Sequence, residues 1–178
     1  MKVVVRLCAV VLASLLFSIP VYGQPTLQHA DLNRCTLENG QVIRDCHVGY
    51  RTAGTLNENR SNAVLIPTWF SGTSAALTGF LGPESLVDTS RYFAVLVDAL
   101  GNGVSSSPST SRTQPDSTFP AFSIRDMVTT QHRLLTEVLN IDSLHAVIGA
   151  SMGGMQTFAW MVQHPSFLKK AVPLTGTP

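Results

Sequence analysis

Leu144-His145-Ala146-Val147-Ile148-Gly149-Ala150-Ser151-Met152-Gly153-Gly154-Met155-Gln156 is the stretch that decides the fold. An apolar run, Leu144 to Ile148, reads as a buried strand. The glycine-rich Gly149 to Gly154 reads as a tight turn, and Met155 to His164 reads as a helix stopped by Pro165. Within the turn, Gly149-Ala150-Ser151-Met152-Gly153 matches Gly-x-Ser-x-Gly. The five letters carry modest information, but strand before and helix after is the setting in which this motif presents a serine nucleophile. The serine must sit on a sharp strand-to-helix turn so that its hydroxyl projects from the sheet edge. Glycines flank it because a Cβ there would meet neighbouring backbone. The helix N-terminus behind Ser151 favours developing negative charge. The bland alternative is a structural glycine turn with an incidental serine.

Outward from this turn the chain alternates. Ala63 to Pro67 and Phe93 to Val97 are short apolar runs that suit strands buried on both faces. Ala171 to Leu174 looks like the start of another. Ser123 and Asp126 have the spacing of a capping box, and Met127, Leu134, Leu135, Val138 and Leu139 recur at helical spacing. Asn140 and Asp142 end that helix. Further upstream, Thr36 to Tyr50 reads as two strands joined at Asn39-Gly40, after a loose polar lead-in from Gln24 to Asn33. Trp69 to Gly82 and Gly101 to about Pro120 are loops. Such alternation predicts a mostly parallel sheet flanked by helices and entered through an antiparallel hairpin.

The chain has 178 residues, 44% hydrophobic and 13% charged, with a formal net charge of +1. That is one globular domain, and neither a nucleic-acid footprint nor a phosphate-binding glycine loop is present. No metal cluster is read from the sequence, and no bound cofactor is expected. Residues 1–23 read as a signal peptide. Lys2 and Arg6 supply the positive end, Leu7 to Ile19 the apolar core, and Val21-Tyr22-Gly23 the cleavage site. Cleavage after Gly23 removes Cys8 and leaves a mature domain, 24–178, that is exported and not stably membrane-associated. An uncleaved anchor is the alternative. Cys35 and Cys46 then form either a disulfide or two buried thiols. A two-residue turn at Asn39-Gly40 would put Cys35 opposite Arg44, so a bridge to Cys46 requires a bulge.

In the architecture that carries this turn, the oxyanion is held by the N–H of the residue after the nucleophile and by one from the loop after the third strand. Here these are Met152 and, within Pro67 to Thr73, Trp69 first and Phe70 next.

Several stretches together resemble the homoserine O-acetyltransferase family of the α/β-hydrolase superfamily. They are Val48-Gly49-Tyr50-Arg51-Thr52-Ala53-Gly54-Thr55-Leu56-Asn57, Asp98-Ala99-Leu100-Gly101-Asn102-Gly103 with Ser105 to Ser109, and Ile124 to Val128 with Gln131 and Leu134-Leu135. The elbow Ile148 to Gln156 completes the likeness, which runs from about Cys35 to the end of the chain. The resemblance implies the N-terminal portion of an α/β-hydrolase fold. It also implies acyl transfer through an acyl-enzyme at Ser151, from acetyl-CoA or another acyl donor to a hydroxyl acceptor. A histidine base and an orienting aspartate would serve the serine, and in this superfamily they follow it in the chain, here beyond Pro178.

Departures from the family pattern shift the expectation. Export would remove acetyl-CoA and leave water as the acceptor, which favours an esterase. The loop Pro67-Thr68-Trp69-Phe70 lacks the His-Ala-Leu character of the acetyltransferases, and Thr175-Gly176-Thr177-Pro178 is not the family's segment. His29, His47, His132, His145 and His164 all read as ordinary histidines. Asp98, at a strand's carboxyl end, precedes Ser151 and so has the wrong chain order for the acid. A truncated, non-catalytic product is the remaining alternative.

Overall fold

The computed structural model describes residues 24–178. The signal peptide read over 1–23, with Cys8, lies outside the described residues.

Three central strands are short because both of their faces are covered. β3 (Ala63–Pro67) runs parallel to β4 (Phe93–Val97) and to β5 (Ala146–Ala150). Side chains alternate along each strand. Ala63, Leu65, Val95, Val97 and Val147 enter one core, and Val64, Ile66, Ala94, Leu96 and Ala146 enter the other. This two-sided burial is why the sequence shows continuous apolar runs here and no polar alternation.

The long strands β1 (Gln28–Thr36) and β2 (Val42–Ala53) form the entering antiparallel hairpin, and β6 (Ala171–Leu174) closes the far side. The six strands lie in the order β1-β2-β4-β3-β5-β6. The first core is covered by α2 (Ile124–Arg133) and α3 (Met152–Gln163), through Met127, Val128 and Trp160. The second is covered by α1 (Ser74–Leu77) and the segment around Val87. The capping box at α2 forms as read: Ser123 accepts from the Asp126 N–H and the Asp126 carboxylate accepts from the Ser123 N–H. After Arg133 the helix widens into a π turn over Leu134–Val138, where the Leu139 N–H reaches the Leu134 carbonyl.

Three expectations are corrected. The stretch from Gln28 to Asn33 is not a loose lead-in, because it pairs with β2 from Gln28↔Tyr50 onward. Its polar side chains alternate with buried Ala30 and Leu32, a half-buried edge pattern that its polar majority hides. The hairpin loop is Glu38 to Gly40, with Gly40 at φ +80°, so Cys35 stands opposite Ile43, one residue from the expected register. The helix after the turn starts at Met152, three residues earlier than expected.

Register shifts between Asp31, Asn33 and Cys35 then bring Cys46 beside Cys35, and the two form a disulfide with Cα atoms 5.7 Å apart. The irregularity that a bridge required is present. Closing a loop of 11-residue separation restricts the unfolded chain. Replacing both cysteines by alanine should lower unfolding free energy by about 3 kcal/mol, read from urea transitions.

His132 and His164 stack at 4.0 Å between ring centroids, against Trp160 and Phe167. Burial holds the pKa of each below the ordinary value of 6.5; for His132 Glu137 opposes this, and for His164 the charge of His132 adds to it. The unfolded chain therefore takes up protons on these histidines at a higher pH than the folded chain does. Their contribution is full above the unfolded value and is lost as pH falls through it toward the lower folded values. Melting temperature should fall between about pH 7 and pH 5, with a shallower slope in a His132→Gln/His164→Gln variant.

Candidate active site at the β5–α3 junction

The sheet order places two loops side by side. From β3 the chain turns toward β4, whereas from β5 it turns toward β6, so β3 and β5 flank the point where the connections diverge. Ligands in open α/β sheets bind at the carboxyl ends of strands at such a point. The loop after β3 and the turn after β5 are the Trp69 loop and the Ser151 turn.

Ser151 is exposed and has φ 54°, ψ −121°, an unfavourable backbone for a residue with a Cβ. Its neighbours hold it there. The Ser151 N–H donates to Leu174 O at 2.9 Å across to β6, and its carbonyl accepts from the Met155 N–H at 3.0 Å in α3. Its side chain makes no capping hydrogen bond, which leaves the hydroxyl uncommitted among the described residues. Each flanking glycine has a distinct reason. A Cβ on Gly149 would overlap the Gly153 carbonyl, one on Gly153 would lie 2.7 Å from Pro67 O, and one on Gly154 would lie 2.9 Å from Leu174 O. The helix thus approaches β5, β3 and β6 at backbone distance.

Met152 opens α3, so its N–H has no acceptor within the helix. The N–H groups of Trp69 and Phe70 likewise donate to no acceptor among the described residues. Their loop is braced from three sides. Thr68 N–H donates to Val97 O, and Gly72 N–H donates to Trp69 O to close a turn with Ser71 at φ 58°. Asp98 is 1% exposed; its Oδ1 accepts from the Ser74 N–H and from Asn102 Nδ2, each at 2.8 Å, and Asn102 Nδ2 also reaches Gly72 O. Asp98 therefore supports the Trp69 loop from β4, two strand spacings or about 10 Å from the β5 edge.

Sequence reading did not single out a buried polar chain under this site. Trp160 Nε1 donates to Gln131 Oε1 at 2.8 Å, Gln131 Nε2 to Gln156 Oε1 at 2.5 Å, and Gln156 Nε2 to Thr68 O at 3.0 Å and Met152 O at 3.2 Å. The available signal was a glutamine in the mostly apolar helix 152–163, four residues after Met152.

The histidines stay apart from Ser151. His164 follows α3, 12 residues and so about 18 Å along the axis from Met152, and stacked His132 shares that end. His145 precedes β5, at the opposite end of the strand. His47 lies in β2, three strand positions and about 14 Å from β5, with Nδ1 3.1 Å from Ser106 Oγ. Among the described residues no group of three or more His, Cys, Asp or Glu side chains could hold a metal ion, and no helix is long and apolar enough to cross a membrane.

Comparison with known proteins follows the same lines. A family model described as alpha/beta hydrolase fold matches residues 63–178. An ethyl acetate hydrolase of Pseudomonas veronii is 42% identical over 79% of this chain and 41% of its own length. A homoserine O-acetyltransferase of Pelobacter propionicus is 38% identical over 80% of this chain and 43% of its own. The solved structure of an acetylester hydrolase from Corynebacterium glutamicum superposes with TM-score 0.81 at 42% identity, covering 85% of this chain and 44% of that one. The chain spans less than half the length of these relatives.

If φ 54° at Ser151 is imposed by the surrounding backbone, glycine should relieve it. Ser151→Gly should unfold about 1 kcal/mol less readily than Ser151→Ala. Chemical denaturation of the two variants side by side measures this.

Proposed function

This chain belongs to the α/β-hydrolase family, and we propose that its Ser151 carries acyl transfer from small esters to water through an acyl-enzyme. The observation that carries the reading is the exposed, strained Ser151 between β5 and α3 with an uncommitted hydroxyl. The esterase assignment draws on the relatives: an ethyl acetate hydrolase and an acetylester hydrolase stand above the homoserine O-acetyltransferase in identity. An exported setting would act in the same direction, because water is always available there and acetyl-CoA is not.

In this reading the Ser151 Oγ attacks the ester carbonyl carbon. The carbonyl oxygen becomes an oxyanion held by the Met152 N–H at the head of α3 and by an N–H of the loop after β3, from Trp69 or Phe70. Positive dipole at the helix start adds to both. Collapse expels the alcohol and leaves acyl-Ser151. Water then attacks the acyl carbon, the oxyanion forms again at the same donors, and collapse releases the acid and restores the hydroxyl. Each attack needs a base to take the proton and an acid to return it. In the superfamily's chain order these are a histidine and its carboxylate partner on segments after the elbow strand's successor. No histidine among residues 24–178 stands near Ser151, consistent with that order.

A second reading, transfer of the acyl group to a hydroxyl acceptor such as homoserine, rests on the acetyltransferase relatives. It shares every step up to acyl-Ser151 and differs in what enters next.

The full-length protein should hydrolyse p-nitrophenyl acetate with a burst of nitrophenol. Ser151→Ala should lower kcat by about 10⁴-fold or more with a native melting curve. Adding homoserine should leave acetate as the product. O-acetylhomoserine as the main product would replace hydrolysis by transfer. Full activity in Ser151→Ala would refute both.

A further inference from the structure

The polar chain beneath the site has a direction fixed by its ends. Trp160 Nε1–H can only donate, so the Gln131 oxygen must face it. The Gln131 amide nitrogen then faces Gln156, whose oxygen must accept. Both N–H bonds of the Gln156 amide are thereby aimed at acceptor-only groups, the carbonyls of Thr68 and Met152. All three side chains are at most 1% exposed. No step can flip without leaving a buried donor facing a donor, and an orphaned buried donor loses its water without gaining a partner.

These two carbonyls belong to the two segments that the proposed oxyanion hole needs. Met152 lies in the first turn of α3, and Thr68 precedes the free N–H groups of the β3 loop. Thr68 C=O shares a planar trans peptide with the Trp69 N–H, and the two point in opposite directions. Fixing that carbonyl fixes the Trp69 N–H and the start of the turn that carries Phe70. Gly153 helps by allowing Pro67 O to approach where a Cβ would come within 2.7 Å. The loop and the helix are thus tied by one bifurcated amide from the side away from solvent.

We propose that Gln156 is a positioning residue for the oxyanion hole: it sets the separation of the Met152 N–H from the N–H of the β3 loop, and Gln131 and Trp160 set its orientation. This rests on the assignment of Ser151 as nucleophile. Gln156 touches no substrate. Its effect is to hold two donors at the spacing that the oxyanion requires and the planar ester does not. Loosening it should therefore act on the transition state more than on substrate binding.

The test is steady-state kinetics with p-nitrophenyl acetate on full-length protein carrying Gln156→Met, which keeps side-chain length and removes both donors. Active-site titration supplies the folded, reactive fraction, and Ser151→Ala runs alongside. The expected result is kcat per titrated site lower by about 10- to 100-fold, less than the loss on deleting an oxyanion donor outright. KM should stay within about twofold, and affinity for a trifluoromethyl ketone, whose adduct carries the oxyanion, should fall by the same factor as kcat. Should Gln156→Met not fold, Gln131→Met decides. It leaves Gln156 in place without its orienting partner and should lower kcat in the same direction by a smaller factor, again at unchanged KM. A folded Gln156→Met, or in its place Gln131→Met, with kcat and ketone affinity within twofold of wild type overturns the proposal. So does a loss confined to melting temperature or to the titrated fraction. Activity surviving in Ser151→Ala would instead refute the nucleophile assignment itself, so the two failures are separable.

Discussion

Everything at this site depends on how closely α3 approaches the sheet. The helix leaves β5 through one residue, Ser151, at φ 54°, and it can do so only because Gly149, Gly153 and Gly154 have no Cβ. Backbone then meets backbone at the Gly153 carbonyl, at Pro67 O and at Leu174 O. Of the strained turn's stabilising contacts, the Ser151 N–H bond to Leu174 O shows how β6 shares in holding it. Without that approach the serine would relax to ordinary backbone and the hydroxyl would leave the crest of the turn. The strain at Ser151 is sustained by burial elsewhere, in β3, β4 and β5, whose side chains fill both cores.

From this constraint the placement of the remaining groups follows. The sheet's order reverses between β3 and β5, so the loop after one faces the turn after the other. Free N–H groups gather at that crest, at the first position of α3 and at Trp69 and Phe70. Asp98, Asn102 and Gln156 all support the same loop from below and beside, buried Asp98 and Gln156 and half-buried Asn102 each using a side chain on backbone. Such bracing suits a site whose donors must be in place before charge develops. The α/β-hydrolase relatives include both ester hydrolases and homoserine acetyltransferases. The proposed step common to both readings, attack by Ser151, is the part that this geometry bears on.

Much of the fold was legible because its strongest signals are local. Ala63–Pro67 and Phe93–Val97 are strands with the bounds expected, since runs of apolar residues ended by loop residues leave little alternative. The Ser123–Asp126 cap is legible for the same reason. Where the expectations fail, the deciding contact is in most cases distant in sequence. Gln28 to Asn33 looks polar because one face of that edge strand is in solvent; only pairing with Val42–Ala53 makes it a strand. The hairpin register turned on whether two or three residues close the loop, a difference that Gly40 alone does not settle. Gln131 and Gln156 are 25 residues apart and meet only because α2 and α3 pack together, so their bond left no pattern to read. For the same reason Asp98 drew attention as a possible acid, while its neighbours Ser74 and Asn102 turn it into a brace.

The central claim is that Ser151 is the reactive nucleophile of this chain. It is tested most directly by treating the full-length protein with a fluorophosphonate and mapping the modified peptide by mass spectrometry. The account predicts a single covalent adduct on Ser151, formed in step with loss of esterase activity and absent after denaturation. An adduct on another residue that tracks the loss of activity, or loss of activity with Ser151 unmodified, would contradict it.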